Sequence, residues 1–417
     1  MDKIRKTYQK LDGKIHSMFY EPVGESEKSK ICILLVHPYG DYMTFSPGEE
    51  MAKRGYCVLC ANVSNPDSLM EDKMSDVRIM MDHLKGERGF KAVLLWGHSG
   101  GASLLSAYQS VAENGVQIFR GSEKIVKCQE LSGFQAAEGM LLPDSNWGNG
   151  AMALFSVDPA VYWKDGKIAI NPELDIFNPE NGFRENGAVY SDAFVHKFLK
   201  AQGKRNNELI ERALERLHII DRGEGQYSDD EPFIIPAASM FPLNNKLFPQ
   251  DIRYFSHTKG SWPLLCGDGG IRKEIVHSVR RPYNMESLSR SYRMGAAVTT
   301  VRLFLNTLAV RVTDDYYYNE DTLYGVDWTS SFNCTPGNMM GVHVPTLVMG
   351  MTGGYEFSAA ETIYENAAAE KKELVFVEGA DHNYQPATEC ETYPGQFGNT
   401  EKRLFDYTDH WIEDNFC

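Results

Sequence analysis

The 417-residue sequence predicts an α/β fold, a doubly wound and mostly parallel sheet carrying a largely helical cap. Three observations lead there. Short apolar runs at 31–36, 56–61, 92–96 and 139–143 have the length of strands buried on both faces. Helically spaced apolar residues separate them, so strand and helix alternate in the order of parallel crossovers. The alternation stops after Pro143 and resumes near the C-terminus, which places an insertion inside the sheet.

Residues 1–30 are charged, and the alternating segment 14–20 reads as an outer strand. The run 31–36 leads into His37-Pro38-Tyr39-Gly40, and an acidic helical turn, 49–54, precedes the strand at 56–61. Within 69–84, Met70, Met74, Val77, Met80, Met81 and Leu84 share one helical face, a stripe read as core packing. The strand 92–96 ends in Gly97-His98-Ser99-Gly100-Gly101, and a helix starts at Ala102. From 146 to about 290 the chain is rich in Gly, Asn, Pro and aromatics, with one clear amphipathic helix at 192–219. Residues 295–310 read as a helix returning to the core. Residues 316–340 read as a long loop, with Tyr316-Tyr317-Tyr318 on its surface. A strand at 344–350, a helix at 358–368, a last strand at 373–377 and a closing helix at 402–416 complete the chain. The expected domains are a core in two parts, 1–145 and 291–417, interrupted by a cap, 146–290.

Composition narrows the function classes. With 42% hydrophobic and 24% charged residues the chain is globular, and its net charge of −15 argues against a nucleic-acid partner. No apolar stretch approaches a membrane span, and Lys3, Arg5, Lys6, Lys10 and Lys14 interrupt any signal-peptide core. The eight cysteines are scattered. Cys57 and Cys60 form a C-x-x-C without a second pair at zinc spacing, so core thiols and a cytoplasmic location are expected.

The chemistry centres on Gly97-His98-Ser99-Gly100-Gly101. Strand, G-x-S-x-G and helix describe a nucleophile elbow, a tight turn that lifts one serine hydroxyl above the carboxyl edge of a sheet. A serine alcohol needs an adjacent base to take its proton. His382 stands in Glu378-Gly379-Ala380-Asp381-His382-Asn383-Tyr384, just after the last strand. On these residues the sequence resembles the α/β-hydrolase superfamily, as a serine hydrolase with a large cap insertion.

That resemblance implies a Ser99–His382 pair completed by a carboxylate that fixes the histidine tautomer. Placement after the strand ending at Gly350 points to Glu356, and Asp144, at the end of the preceding strand, is the alternative acid. Asp381 reads as a loop-capping residue. The oxyanion donors would be the backbone N–H of Gly100 and, because Pro38 has none, that of Tyr39. His98 would pack or hydrogen-bond away from Ser99, and His37 would shape its own loop. The expected reaction is hydrolysis of a carboxylic ester, lactone, thioester or amide through an acyl-enzyme, with no metal and no organic cofactor. Two alternatives stay open: carbon–carbon bond hydrolysis by the same triad, and a non-catalytic small-molecule-binding protein on the hydrolase scaffold. The expected partner is a small acyl substrate, apolar or aromatic in part, with no membrane partner and with homo-oligomerisation left open. Trp147, Phe155, Tyr162, Trp163, Phe177 and Phe183 give the cap an aromatic character, most of them read as its own core.

Overall fold

The computed structural model describes residues 4–184, 186–238, 246–282 and 295–417. In chain order its strands are β1 (Ile4–Leu11), β2 (Ile15–Pro22), β3 (Ile31–His37), β4 (Cys57–Asn62), β5 (Ala92–Trp96), β6 (Gly139–Pro143), β7 (Val161–Lys164), β8 (Lys167–Ile170), β9 (Pro232–Pro236), β10 (His257–Leu265), β11 (Ile271–His277), β12 (Ala296–Thr300), β13 (Arg311–Tyr318), β14 (Leu323–Asp327), β15 (Thr346–Met351) and β16 (Lys372–Val377). The helices that matter below are α1 (Ser46–Lys53), α2 (Met70–Met81), α3 (Gly101–Asn114), α4 (Asn149–Ser156) and α5 (Asp192–Asp221).

Ten strands form one sheet in the order β1-β2-β4-β3-β5-β6-β15-β16-β10-β11. The seven from β4 to β10 run parallel, while β1, β2 and β11 pair antiparallel at the two edges. The two-residue period of a strand splits β3 between two cores. Cys32, Leu34 and Val36 meet Met74, Val77 and Met81 of α2 and Leu104 of α3 on one face. Ile31, Ile33 and Leu35 meet Met51 of α1 and Leu404, Phe405 and Trp411 of the helix Thr400–Phe416 on the other. The methionine stripe is therefore interior, as expected.

Several expectations need correction. The helix expected at 295–310 opens instead as strand β12, whose Val298, Thr299 and Thr300 are β-branched and which pairs with β9. A helical turn, Val301–Leu303, follows only after Thr300 caps it, and it widens into a π-turn over Phe304–Leu308. The loop expected at 316–340 contains the hairpin β13–β14, and Tyr316 and Tyr318 are buried in it. Alternation explains this: Tyr316 and Tyr318 share the inner face of β13, with Tyr317 on the other.

The span 146–290 is not all cap. β10 pairs parallel with β16 and β11 pairs with β10, so 257–277 extends the main sheet. The rest is largely helical, with α4 and the long α5 carrying most of its regular structure and the hairpin β7–β8 and strand β9 beside them. The boundary at 290/291 lies outside the described residues. α5 runs for 30 residues from a Ser191 cap and seats against β13, where a Cβ on Gly203 would lie 2.9 Å from the Tyr316 ring. Trp147 and Phe155 are fully buried against Phe255, whereas Tyr162 and Trp163 are exposed on the hairpin. No helix among the described residues is long and apolar enough to cross a membrane.

Candidate active site

Ser99 sits where β5 has ended and α3 has not yet begun. Its φ of 52° is left-handed, a conformation that costs a non-glycine residue energy and is held only when its surroundings fix it. Two close approaches do so. A Cβ on Gly97 would lie 2.8 Å from the Ala102 Cα, and one on Gly101 would lie 2.7 Å from the Val36 carbonyl oxygen. Both positions therefore require glycine. The chain beyond β5 stays bound to β6 and the residue after it: Gly97 N–H donates to Leu141 O (2.8 Å) and Ser99 N–H to Asp144 O (3.1 Å).

Asp144 follows β6 in the same strained region, with φ 47°. Its carbonyl receives the Ser99 amide, and its carboxylate is buried. Oδ1 accepts from Met351 N–H (3.1 Å), and Oδ2 pairs with His382 Nδ1 (2.6 Å), the short length of a charge-assisted hydrogen bond. One residue thus touches both Ser99 and His382. Glu356, from the loop after β15, also reaches His382, its Oε2 lying 3.2 Å from the same Nδ1.

The structure therefore brings both candidate acids to one imidazole nitrogen, with Asp144 the nearer. Burial raises the Asp144 carboxyl, against the pull of His382. Burial likewise raises Glu356 to about 7, opposed by His382 and reinforced by the Asp144 charge. Burial disfavours the imidazolium of His382, but Glu356 and then Asp144 outweigh it and lift the ring to about 9.

Asp381 receives the amides of Asn383 (2.8 Å) and Gln385 (2.9 Å), capping the loop that presents His382. Sequence reasoning missed the clamp on that loop. His98 is buried, its Nε2 donates to the His382 carbonyl (2.7 Å) and its Nδ1 pairs with the Tyr42 hydroxyl (2.7 Å). Burial and the nearby His382 keep its ring neutral. The chain carried no local signal for this contact, which joins residues 284 positions apart.

The Tyr39 amide, expected to face a substrate oxygen, is engaged inside its own loop. It donates to His37 Nδ1 (3.1 Å), as does Gly40 N–H (2.7 Å). The cause is local, since a histidine closing a strand reaches its own turn amides two and three residues on. Gly100 opens α3 beside Ser99. Asp144, Glu356 and His382 also form the one group among the described residues whose donor atoms could gather a metal, all within 4.8 Å.

No family model matches the chain, and no curated protein matches it in sequence. Solved structures do resemble it in three dimensions. Est1E from Butyrivibrio proteoclasticus is similar at TM-score 0.41 and 10% identity, with 98% of each chain covered. The alpha/beta hydrolase GrgF from Penicillium sp. sh18 is similar at TM-score 0.43 and 9% identity, with 99% of each chain covered. A brefeldin A esterase, described as a bacterial homologue of human hormone-sensitive lipase, is similar at TM-score 0.41 and 10% identity over 100% of this chain and 78% of its own. On its own strand order and elbow, with the histidine loop following β16, the chain carries the α/β-hydrolase fold.

Proposed function

We propose that the protein is a serine hydrolase that cleaves a carboxylic ester, lactone or thioester through an acyl-enzyme. One observation carries this reading: Asp144 holds the Ser99 amide with its carbonyl and the His382 ring with its carboxylate. With Nδ1–H donated to Asp144, neutral His382 keeps the Nε2 lone pair free to receive a proton. We assign Asp144 as the orienting acid and Glu356 as a second carboxylate that deepens the field on the same ring.

In this mechanism His382 Nε2 takes the Ser99 proton as Oγ adds to the substrate carbonyl, whose π electrons move to oxygen. The tetrahedral intermediate collapses, the bond to the leaving group breaks, and His382 returns its proton to that group. A water then loses its proton to His382 and attacks the acyl-enzyme, and Ser99 is regenerated as the acid leaves. No step calls on a metal or an organic cofactor. The substrate side would be a small acyl compound, apolar or aromatic in part.

Labelling with a fluorophosphonate probe, followed by mass spectrometry, tests the reading. A hydrolase is labelled at Ser99, and Ser99→Ala loses both label and turnover of acyl esters. Wild-type protein that takes no label and turns over no ester of any chain length would leave only a binding scaffold.

A further inference from the structure

Acyl transfer needs donors for the oxygen that becomes negative, and the loop after β3 offers its backbone amides elsewhere. Tyr39 N–H and Gly40 N–H both point at His37 Nδ1, at 3.1 and 2.7 Å. A ring nitrogen that accepts two N–H groups carries no proton, so neutral His37 is the tautomer with hydrogen on Nε2. The ring stays neutral at any working pH, because burial, with His382 and Lys73 nearby, pushes its pKa down to about 3.

The Nε2 end lies over Gly100, the residue that follows the nucleophile. A Cβ placed on Gly100 would sit 3.2 Å from His37 Nε2 and 3.1 Å from Asn149 Oδ1. Asn149, the first residue of α4, is 5% exposed, and its Nδ2 has no hydrogen-bond partner among the described residues. The His37 Nε2 and the Asn149 Oδ1 thus flank one point over Gly100, with the unpartnered Nδ2 on the same Asn149 side chain. A buried donor left unpaired is unfavourable unless a ligand completes it.

We propose that the Nε2–H of His37 is the second oxyanion donor of this protein, with the Asn149 amide beside it. This rests on the hydrolase reading and deepens it. The ligand of the site is the tetrahedral oxyanion of an acyl substrate, held between the Gly100 backbone and the His37 ring. His37 then does two jobs through two nitrogens: Nδ1 ties its own loop, and Nε2–H faces the reacting oxygen.

Two substitutions separate those jobs. His37→Asn keeps an acceptor where Nδ1 lies and withdraws the donor, while His37→Gln returns an N–H near the Nε2 position. The readouts are kcat, KM, the inhibition constant of phenylboronic acid (whose serine adduct is tetrahedral and anionic) and that of the product acid. His37→Asn should lose about a hundredfold in kcat and a similar factor in boronate affinity, with KM and product binding unchanged. His37→Gln should recover most of both, and Asn149→Ala should lose less than His37→Asn.

If His37→Asn does not fold, the comparison of His37→Gln with His37→Ala serves in its place. The inference is overturned if wild type is labelled and active while His37→Asn keeps kcat and boronate affinity. It is also overturned if kcat falls with boronate affinity intact, which marks a loop-holding role, or if only Asn149→Ala is impaired. Wild type that takes no fluorophosphonate label and hydrolyses no ester removes the hydrolase reading itself, and the inference falls with it.

Discussion

Glu356→Gln is the substitution that best separates the two carboxylates at His382. In the proposed mechanism the base form of that ring accepts the Ser99 proton, so kcat/KM should rise with pH as the ring loses its own proton. The raised pKa, about 9, puts that limb on the alkaline side. Glu356 is the largest of the attractions that raise it, and at pH 8 its own carboxyl, near 7, is ionised. If losing that charge lowers the ring by roughly one unit, the base form at pH 8 grows from about a tenth of the molecules to about half. Glu356→Gln should therefore run about fivefold faster at pH 8, with its limb moved to lower pH. Asp144→Asn should instead lose on the order of ten-thousandfold, because it removes the partner of Nδ1–H and lets the wrong tautomer form. The assay is kcat/KM for a short-chain acyl ester from about pH 6 to 10, read as the limb of the whole cluster. A thousandfold loss in Glu356→Gln with Asp144→Asn nearly unimpaired refutes the assignment and exchanges the two roles. Two near-neutral variants remove both.

Three further outcomes follow from the surroundings of the site. Gly97→Ala puts a methyl 2.8 Å from the Ala102 Cα and the Leu142 side chain, so it should destabilise by about 1–3 kcal/mol in urea unfolding and slow probe labelling of Ser99. Tyr42→Phe leaves His98 Nδ1 unpaired behind the His382 carbonyl; kcat should fall roughly tenfold at constant KM as the proposed base loosens. Lys73 is fully buried, its Nζ has no hydrogen-bond partner among the described residues, and burial lowers its pKa to about 8. Because the folded value lies below the unfolded one, the cation destabilises the fold fully below pH 8, and the penalty fades as pH rises toward that of free lysine. Lys73→Met should stabilise the protein by on the order of 3 kcal/mol at neutral pH, with the gain shrinking above pH 8. A gain independent of pH would assign it to packing instead.

The central strands were legible because burial on both faces leaves a short continuous apolar run, and the turn residues that bound it separate it from a buried helix. Residues 92–96 and 139–143 coincide with β5 and β6. What escaped was structure set by partners far along the chain. β10 reads as an ordinary polar stretch, His257 to Leu265, and becomes a sheet strand only because β16 presents a free edge to it. β12 was lost to helical spacing of its apolar residues, although its β-branched residues carried the opposing preference. The first hairpin had a local signal that went unused: Asp12 and Gly13, both at positive φ, are the turn between β1 and β2.

The same reasoning explains why chain order could not separate the two acids. β6, β15 and β16 are consecutive neighbours in the sheet and run parallel, so their carboxyl ends converge on one patch. The loops leaving those ends deliver Asp144, Glu356 and His382 in turn, and any acid in either of the first two can reach the imidazole of the third. What separates them is backbone. Asp144 has both its main-chain groups committed, N–H to Met349 O (2.8 Å) and carbonyl to Ser99 N–H (3.1 Å), while Glu356 enters from a loop after β15. A carboxylate pinned between the Ser99 turn and β15 has the fixed placement that an orienting acid would need in the proposed mechanism. A substitution that frees the Asp144 backbone without touching its carboxylate should therefore cost activity as the loss of the carboxylate does, and no sequence pattern encodes that.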